Sequence, residues 1–330
     1  MQIPSLRNPH INPLCVQAAL AQVTGGPNTQ NQFRFCDGER IVTKDYEPCA
    51  SSNYVKMVHH SFELVATCLK DYVSESQNPR VQSAWVENYF RILTKESGLQ
   101  ANAVRSNQSA IGVAQLTRIY RQDFRKESLR AVRNHLANSE SPYCRSLGDF
   151  AVSERRVVGL NRTCHLINVD SGPLVGFLVG FSHLRHVRRQ VLTTLDRHSN
   201  LLSGLSASNR LRLELALVTI SYNIGFIGLT EPLEYTLGLY RNRKQKITDS
   251  DQLVDDVISN LRMRKDRSAF SYANPKWISL PSSAESDRTR EMMNYYNNIE
   301  QRFDQVLKTA RRLQREQFPD QAPLRSCLLR

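Results

Sequence analysis

KESGLQANAVRSNQSAIGVAQLT, Lys95–Thr117, is the stretch from which the fold is read. An apolar run of helical period ends in a lone carboxylate, Glu96, followed at once by Ser97 and Gly98. A polar, turn-rich segment from Gln100 to Ser109 comes next, and then Ala110-Ile111-Gly112-Val113-Ala114-Gln115. A carboxylic acid at the end of a packed helix, facing a turn of small residues, is where a general acid can be held. An apolar wall around it would disfavour the ionised form.

Upstream, Val55, Val58, Phe62, Val65, Ala66, Leu69 and Val73 recur at helical spacing from Asn53 onward. Ser76-Gln77-Asn78-Pro79 breaks that helix, and a second runs from Val81 to about Lys95 with Trp85, Tyr89, Ile92 and Leu93 on its apolar side. Trp85 lies on that stripe and reads as core. Residues 1–50 are rich in Asn, Pro, Gly and Cys and read as irregular, stapled structure.

Downstream, a basic amphipathic helix is expected over about 118–137, then a weakly periodic polar stretch to Gly172 containing Cys144 and Cys164. A long helix over about 174–198 enters through PLVGFLVGF, where Gly176 and Gly180 share a face and permit close helix packing. Ser206–Asn209 caps a helix over Arg210–Ser221, which buries Leu213, Leu217 and Ile220 and stops at Tyr222-Asn223-Ile224-Gly225. Further helices are expected at 231–240, 250–263 and 286–316, with a loop at Ser268–Ser283 holding Trp277. No period-2 run of useful length appears, so the chain reads as mostly α with few strands. The organisation expected is an irregular N-terminal extension (1–52), a helical domain (53–316) with an insertion at 118–172, and a tail (317–330).

A hydrophobic fraction of 40% with 23% charged residues fits a globular chain and excludes a disordered one. The net charge of +13 favours polyanionic partners, among them nucleic acid, an anionic membrane surface or an anionic wall glycan. The cations cluster at Arg118 to Arg133, Arg185 to Arg189, Arg241 to Lys246, Arg262 to Arg267 and Arg311 to Arg315. None of these interleaves aromatics as a nucleic-acid stacking platform would, so they read as solvated helix faces. Cysteines at 15, 36, 49, 68, 144, 164 and 327 form no CxxC or Cys/His spacing, which argues against a zinc site and suits disulfides in an exported protein. The odd seventh leaves one thiol free or paired outside the chain. His183 and His186 are three apart but lack a third ligand, so no metal is expected. MQIPSLRNPHINPL is no signal peptide, so an exported protein would here be a mature form with a new Met1. Pro173–Phe181, the longest apolar run, is far too short to span a membrane.

Three motifs in order carry a resemblance. Glu96-Ser97 before a turn, Gly112-Val113-Ala114-Gln115-Leu116, and Ser221-Tyr222-Asn223-Ile224-Gly225 are similar to the Glu-Ser, Gly-Leu-Met-Gln-aliphatic and Ala-Tyr-Asn-Ala-Gly motifs of the lytic transglycosylase and goose-type lysozyme family, glycoside hydrolase family 23. A late Thr-Arg-x-Tyr-like element is echoed by Thr289-Arg290 and Tyr295. The resemblance covers roughly residues 53–117 and 172–310. It implies a lysozyme-like helical domain with a glycan groove, acting as a monomer on peptidoglycan without cofactor or metal. Glu96 would protonate the glycosidic oxygen between N-acetylmuramic acid and N-acetylglucosamine. Ser97, of the same motif, would belong to the substrate-binding set, in which Gln115 and Asn223 would bond sugar or acetamido groups and Tyr222 and Tyr295 would wall the site.

The outcome of cleavage depends on a second carboxylate. An inverting hydrolase needs one about 6.5–9.5 Å from the acid. No Asp or Glu lies between Ser97 and Gln122, and the aspartate that follows the second motif in goose-type lysozymes is Thr117 here. One carboxylate suits a lytic transglycosylase, which closes a 1,6-anhydro ring. Asp123, Glu127, Glu140, Asp149 and Glu154 in the insertion keep the hydrolytic alternative open, and a non-catalytic wall-binding module is a further reading. Ala114 stands at the family's methionine and implies a roomier subsite. The long spacing between second and third motifs reads as a lid or specificity insertion that a Cys144–Cys164 bond would close.

Overall fold

The computed structural model describes residues 9–24, 31–37, 40–42, 47–105, 110–117, 127–152, 163–167, 170, 172–266, 276–279 and 285–329. The chain divides into two compact units, Met1–Arg185 with Ile299–Arg330, and His186–Asn298.

The first unit begins with helix α1 (Pro13–Thr24) and strands β1 (Asn31–Phe33), β2 (Cys36–Asp37) and β3 (Arg40–Ile41). Helices α2 (Ser52–Ser74) and α3 (Pro79–Glu96) form its centre. Ser51 caps α2 by accepting from the Tyr54 amide, and Asn78 caps α3 by accepting from Arg80, with Pro79 at the position where its missing N–H costs nothing. Phe62, Trp85 and Tyr89 are fully buried, as their spacing predicts, and so is Phe90. Phe62 meets Phe90 and Phe177 edge-on at 5.5 and 5.4 Å, and Tyr89 meets Phe181 at 4.4 Å, geometries that add to simple area burial.

Strands β4 (Ala103–Arg105), β5 (Ala110–Ile111) and β6 (Leu116–Thr117) follow α3 and join β1 in a sheet of order β1-β4-β5-β6. All neighbours run antiparallel, with Gln32 opposite Val104, Val104 opposite Ile111, and Ile111 opposite Leu116. Next come α4 (Glu127–Ala137), α5 (Pro142–Val152), α6 (Thr163–Ile167) and α7 (Gly172–Asp196), which runs on into the second unit.

The second unit holds α8 (Ser199–Leu202), α9 (Ala207–Ile224), α10 (Phe226–Asn242), α11 (Ser250–Ser259), the ribbon β7 (Met263–Lys265) and β8 (Trp277–Ser279), and the first half of α12 (Glu285–Gln317). Leu213, Leu217 and Ile220 of α9 are buried with Leu229, Leu233 and Leu237 of α10 and Leu253 and Val257 of α11. Tyr240 donates to Asp256 Oδ2 at 2.6 Å and Asn260 to Thr236 Oγ1 at 3.1 Å, so α10 and α11 lie antiparallel.

Within the first unit, the last part of α12 docks on α3. Arg91 donates to Glu300 at 2.5 Å and lies 4.3 Å over the Phe303 ring, while Phe303 meets Phe90 edge-on. A clasp gathers the two chain ends. Cys15 is bonded to Cys327, Ile11 bridges Leu328, and the Leu329 amide donates to His10 O at 2.8 Å. Glu63 of α2, fully buried, accepts from the amides of His10 and Ile11 at 2.7 Å each and from His10 Nδ1 at 2.9 Å. Lys70, which has donors only, lies 3.3 Å from His10 Nε2. That nitrogen therefore accepts, and Nδ1 carries the proton given to Glu63.

Several expectations are corrected. Residues 1–52 are not simply irregular: they hold α1 and three strands, one of them an edge of the main sheet. The turn-rich segment after Gln100 is a meander whose strands are too short for alternation to register, with 106–109 outside the described residues. The helix expected over 118–137 is described from Glu127, residues 118–126 lying outside, and the polar stretch beyond contains α5 and α6. Trp277 lies in β8, not a loop, 5.3 Å from the Tyr235 ring. Cys144 and Cys164 do not pair with each other: Cys144 bonds Cys68 of α2, and Cys164 bonds Cys36 of β2. The cysteines close long-range links rather than the nearest loop, leaving Cys49 as the free thiol.

Candidate functional site

Glu96 is the last residue of α3 and is half-buried. The chain leaves the helix through Ser97, whose amide donates to Leu93 O at 3.1 Å, and then takes a left-handed path at Gly98 (φ 62°) and Leu99 (φ 65°). Leu99 pays a conformational cost that glycine would not, and two contacts hold it there. The Tyr54 hydroxyl donates to Leu99 O at 3.2 Å and accepts from the Ala101 amide at 2.7 Å. Burial pushes that hydroxyl's titration far above its ordinary value, so it stays a donor. Gln100 exchanges 2.8 Å hydrogen bonds with the backbone of Cys49 in both directions.

Ser97 joins the first motif to the second: its Oγ donates to Val113 O at 2.6 Å. Gly112 (φ 75°) turns the chain between β5 and β6, and a Cβ there would sit 3.0 Å from Leu166 O. Gln115, also left-handed at φ 46°, is buried, and its Nε2 donates to Ala103 O at 3.1 Å and Gly112 O at 2.9 Å. Both amide hydrogens thus brace the hairpin. Ser97 likewise acts as a strut, so two of the candidate substrate-binding residues carry structural bonds.

Helix α7 closes the back of this loop through its glycines. A Cβ at Gly176 would run into Val113, and one at Gly180 into Tyr89 and, at 3.0 Å, Ala114. Ala114 is buried against this helix. The roomier subsite expected there is not found, because α7 occupies the space a methionine would need.

Two cations stand beside Glu96. Arg302 of α12 donates to Lys95 O at 3.3 Å, and its guanidinium is held below its ordinary range by burial, with the Glu96 charge pulling the other way. Burial pushes the Lys95 ammonium down as well, Arg302 adds to this, and Glu96 opposes it. The apolar wall expected around the acid is thus interrupted by positive charge. Arg302 was detectable in the sequence as a cation on the apolar stripe Tyr295, Ile299, Phe303, Val306 of its helix.

The other candidates belong to the second unit. Tyr222 and Asn223 occupy the last turn of α9, half-buried and exposed respectively. Gly225 (φ 77°) ends the helix, its amide donating to Ser221 O at 2.9 Å. Tyr295 is buried on α12 beside Met292. Thr289 and Arg290 fall where side chains lie outside the described residues. Of the insertion's carboxylates, Glu140, Asp149 and Asp170 are described and exposed, whereas Asp123 and Glu154 lie outside the described residues and Glu127 is described only as backbone.

No family model, curated protein or solved structure matches the chain. Among the described residues no cluster of three or more His, Cys, Asp and Glu could hold a metal, and no helix is long and apolar enough to cross a membrane.

Proposed function

We propose that the chain is an exported peptidoglycan-cleaving glycosidase acting at the β-1,4 bond between N-acetylmuramic acid and N-acetylglucosamine, with Glu96 as its acid. The supporting observation is the 2.6 Å bond from Ser97 Oγ to Val113 O. It ties the helix end carrying Glu96 to the hairpin carrying Gln115, so two motifs sixteen residues apart form one rigid constellation. Three disulfides are the chemistry of an oxidising compartment, in keeping with export.

Glu96 gives its proton to the glycosidic oxygen as the C1–O bond breaks, assisted by the muramoyl acetamido group. The ionised Glu96 then takes the proton of the C6 hydroxyl as that oxygen bonds C1. No water is consumed, and the product ends in 1,6-anhydro-muramic acid. The absence of any Asp or Glu between Ser97 and Gln122 favours this over hydrolysis, as does the placement of two of the insertion's described carboxylates. Glu140 and Asp149 flank or lie on α5, which Cys144 fastens to Cys68. Cys68 lies fourteen residues along α2 from Tyr54, the residue bonded to the turn after Glu96, or ~21 Å of helix.

Digestion of purified peptidoglycan with product mass spectrometry tests the reading. Anhydro-muramoyl ends are expected, and Glu96→Gln should lower their release by about 10²–10⁴-fold with the fold intact by circular dichroism. Undiminished cleavage by Glu96→Gln refutes the assignment. Hydrated reducing ends would make the enzyme a lysozyme, and wall binding without cleavage a silent module.

A further inference from the structure

Resting on the reading of Glu96 as the acid, we propose that Arg302 is its positioning residue, a cation fixed on the carbonyl just before Glu96 that stabilises the Glu96 carboxylate between the two halves of the reaction. The need for such a group follows from where Glu96 stands. As the C-terminal residue of α3 it sits among carbonyls with no helical partner, at the negative end of the helix dipole. That place opposes an anionic carboxylate. Yet the reaction passes through a state in which Glu96 has given up its proton and not yet regained one.

Arg302 answers both problems with one side chain. It donates to Lys95 O at 3.3 Å, satisfying a carbonyl of the last turn and setting a positive charge one residue from Glu96. The mutual attraction between the two charges opposes the burial that otherwise holds Arg302 below its ordinary range. Arg302 is not free to wander. Two residues before it, Glu300 is bonded to Arg91, and one residue after it, Phe303 packs on Phe90 and under Arg91. Helix α12 is therefore keyed to α3 on both sides of the guanidinium. Lys95, the other cation facing Glu96 among the described residues, is a poorer counter-charge, since burial and Arg302 both push its ammonium toward neutrality.

A fixed cation that prefers the ionised acid lowers the barrier to proton donation, because its interaction grows as the charge develops. It also decides up to what pH the acid keeps its proton. Removing it should slow the chemistry and extend the protonated form to higher pH.

The test compares Arg302→Gln and Arg302→Lys with the wild-type chain by two readouts. In the kcat/KM profile on peptidoglycan, Arg302→Gln should move the alkaline limb up by about one pH unit, the lower end of what one nearby charge does. It should also cut kcat by about ten-fold, the rate equivalent of that unit, with KM unchanged; Arg302→Lys should recover much of both. In the ligand-free protein, the ¹³C carboxyl titration of Glu96, assigned by its loss in Glu96→Gln, should move to higher pH in Arg302→Gln. An unmoved titration, or lowered activity with an unmoved limb, overturns the role of Arg302 even if Glu96→Gln is dead. Full cleavage by Glu96→Gln overturns the proposed function instead, and with it any part for Arg302 in that reaction.

Discussion

Gly180→Ala asks how closely α7 approaches the core beneath the candidate site. The added methyl would collide with Tyr89 Oη, stand 2.8 Å from Tyr89 Cζ and 3.0 Å from Ala114 Cβ. Ordinary contact begins near 3.4 Å. Tyr89 has no room to retreat: it is fully buried, edge-on to Phe181 at 4.4 Å and stacked with Phe62 at 6.4 Å. The helix or the Val113–Ala114 turn must therefore move by several tenths of an ångström. Overpacking of this kind costs about 1–3 kcal/mol, and with a rigid ring as the obstacle the upper end, ~3 kcal/mol, applies. Gly238 of α10 is the control. Nothing lies within 4 Å of a Cβ there, so Gly238→Ala should stabilise by about 0.5–1 kcal/mol through helix propensity alone. Urea denaturation of the oxidised proteins gives both values. The double variant Gly180→Ala/Tyr89→Phe, lacking the atom in collision, should recover more of the loss than the two single changes sum to. A neutral Gly180→Ala would refute the packing argument, as would a double variant with strictly additive losses.

Two further predictions rest on single side chains. Tyr240 is pushed up to about 12 from an ordinary 10.0, first by burial and then by its bond to Asp256, so the folded state holds that proton more tightly than the unfolded chain. Its contribution is full below pH 10 and is lost as pH rises from 10 toward 12. Tyr240→Phe should flatten that part of a stability–pH curve, and an unchanged slope refutes the coupling. Of seven cysteines only Cys49 is free, half-buried, with burial and the Asp170 charge both raising its thiol, so the folded chain should yield one slowly labelled thiol and the reduced, denatured chain seven. Peptide mapping that links Cys144 to Cys164 would refute the pairing.

The helices were legible wherever the apolar stripe was continuous. Phe62, Trp85, Tyr89 and Leu213 are buried as their spacing demands. The small sheet was not, because two- and three-residue strands such as Ala110–Ile111 cannot display a period of two, and their stability comes from Gln115 and Ser97 rather than from propensity. The site was legible as motif order, which marked Glu96 and its neighbours. What motif order hid was division of labour. Ser97 and Gln115 have the polar atoms of ligand-binding residues, yet their hydrogens are committed to backbone carbonyls that only the folded turn presents. Arg302 is some two hundred residues from Glu96, and no local pattern links them. Disulfide pairing was illegible for a related reason: Cys36 and Cys68 reach partners 128 and 76 residues away, distances over which chain separation says nothing of proximity.

The clasp between Cys15 and Cys327 has a mechanical meaning. Because that bond encloses 312 residues of sequence separation, tension applied to the chain outside the two cysteines travels through sulfur and bypasses the helices and sheet between them. The buried Glu63 carboxylate, gripping the amides of His10 and Ile11, takes the first of any such load on the N-terminal side. A pulling experiment should therefore register only the short peeling of this segment before the covalent ring goes taut, and the long extension of an unravelling domain only after reduction.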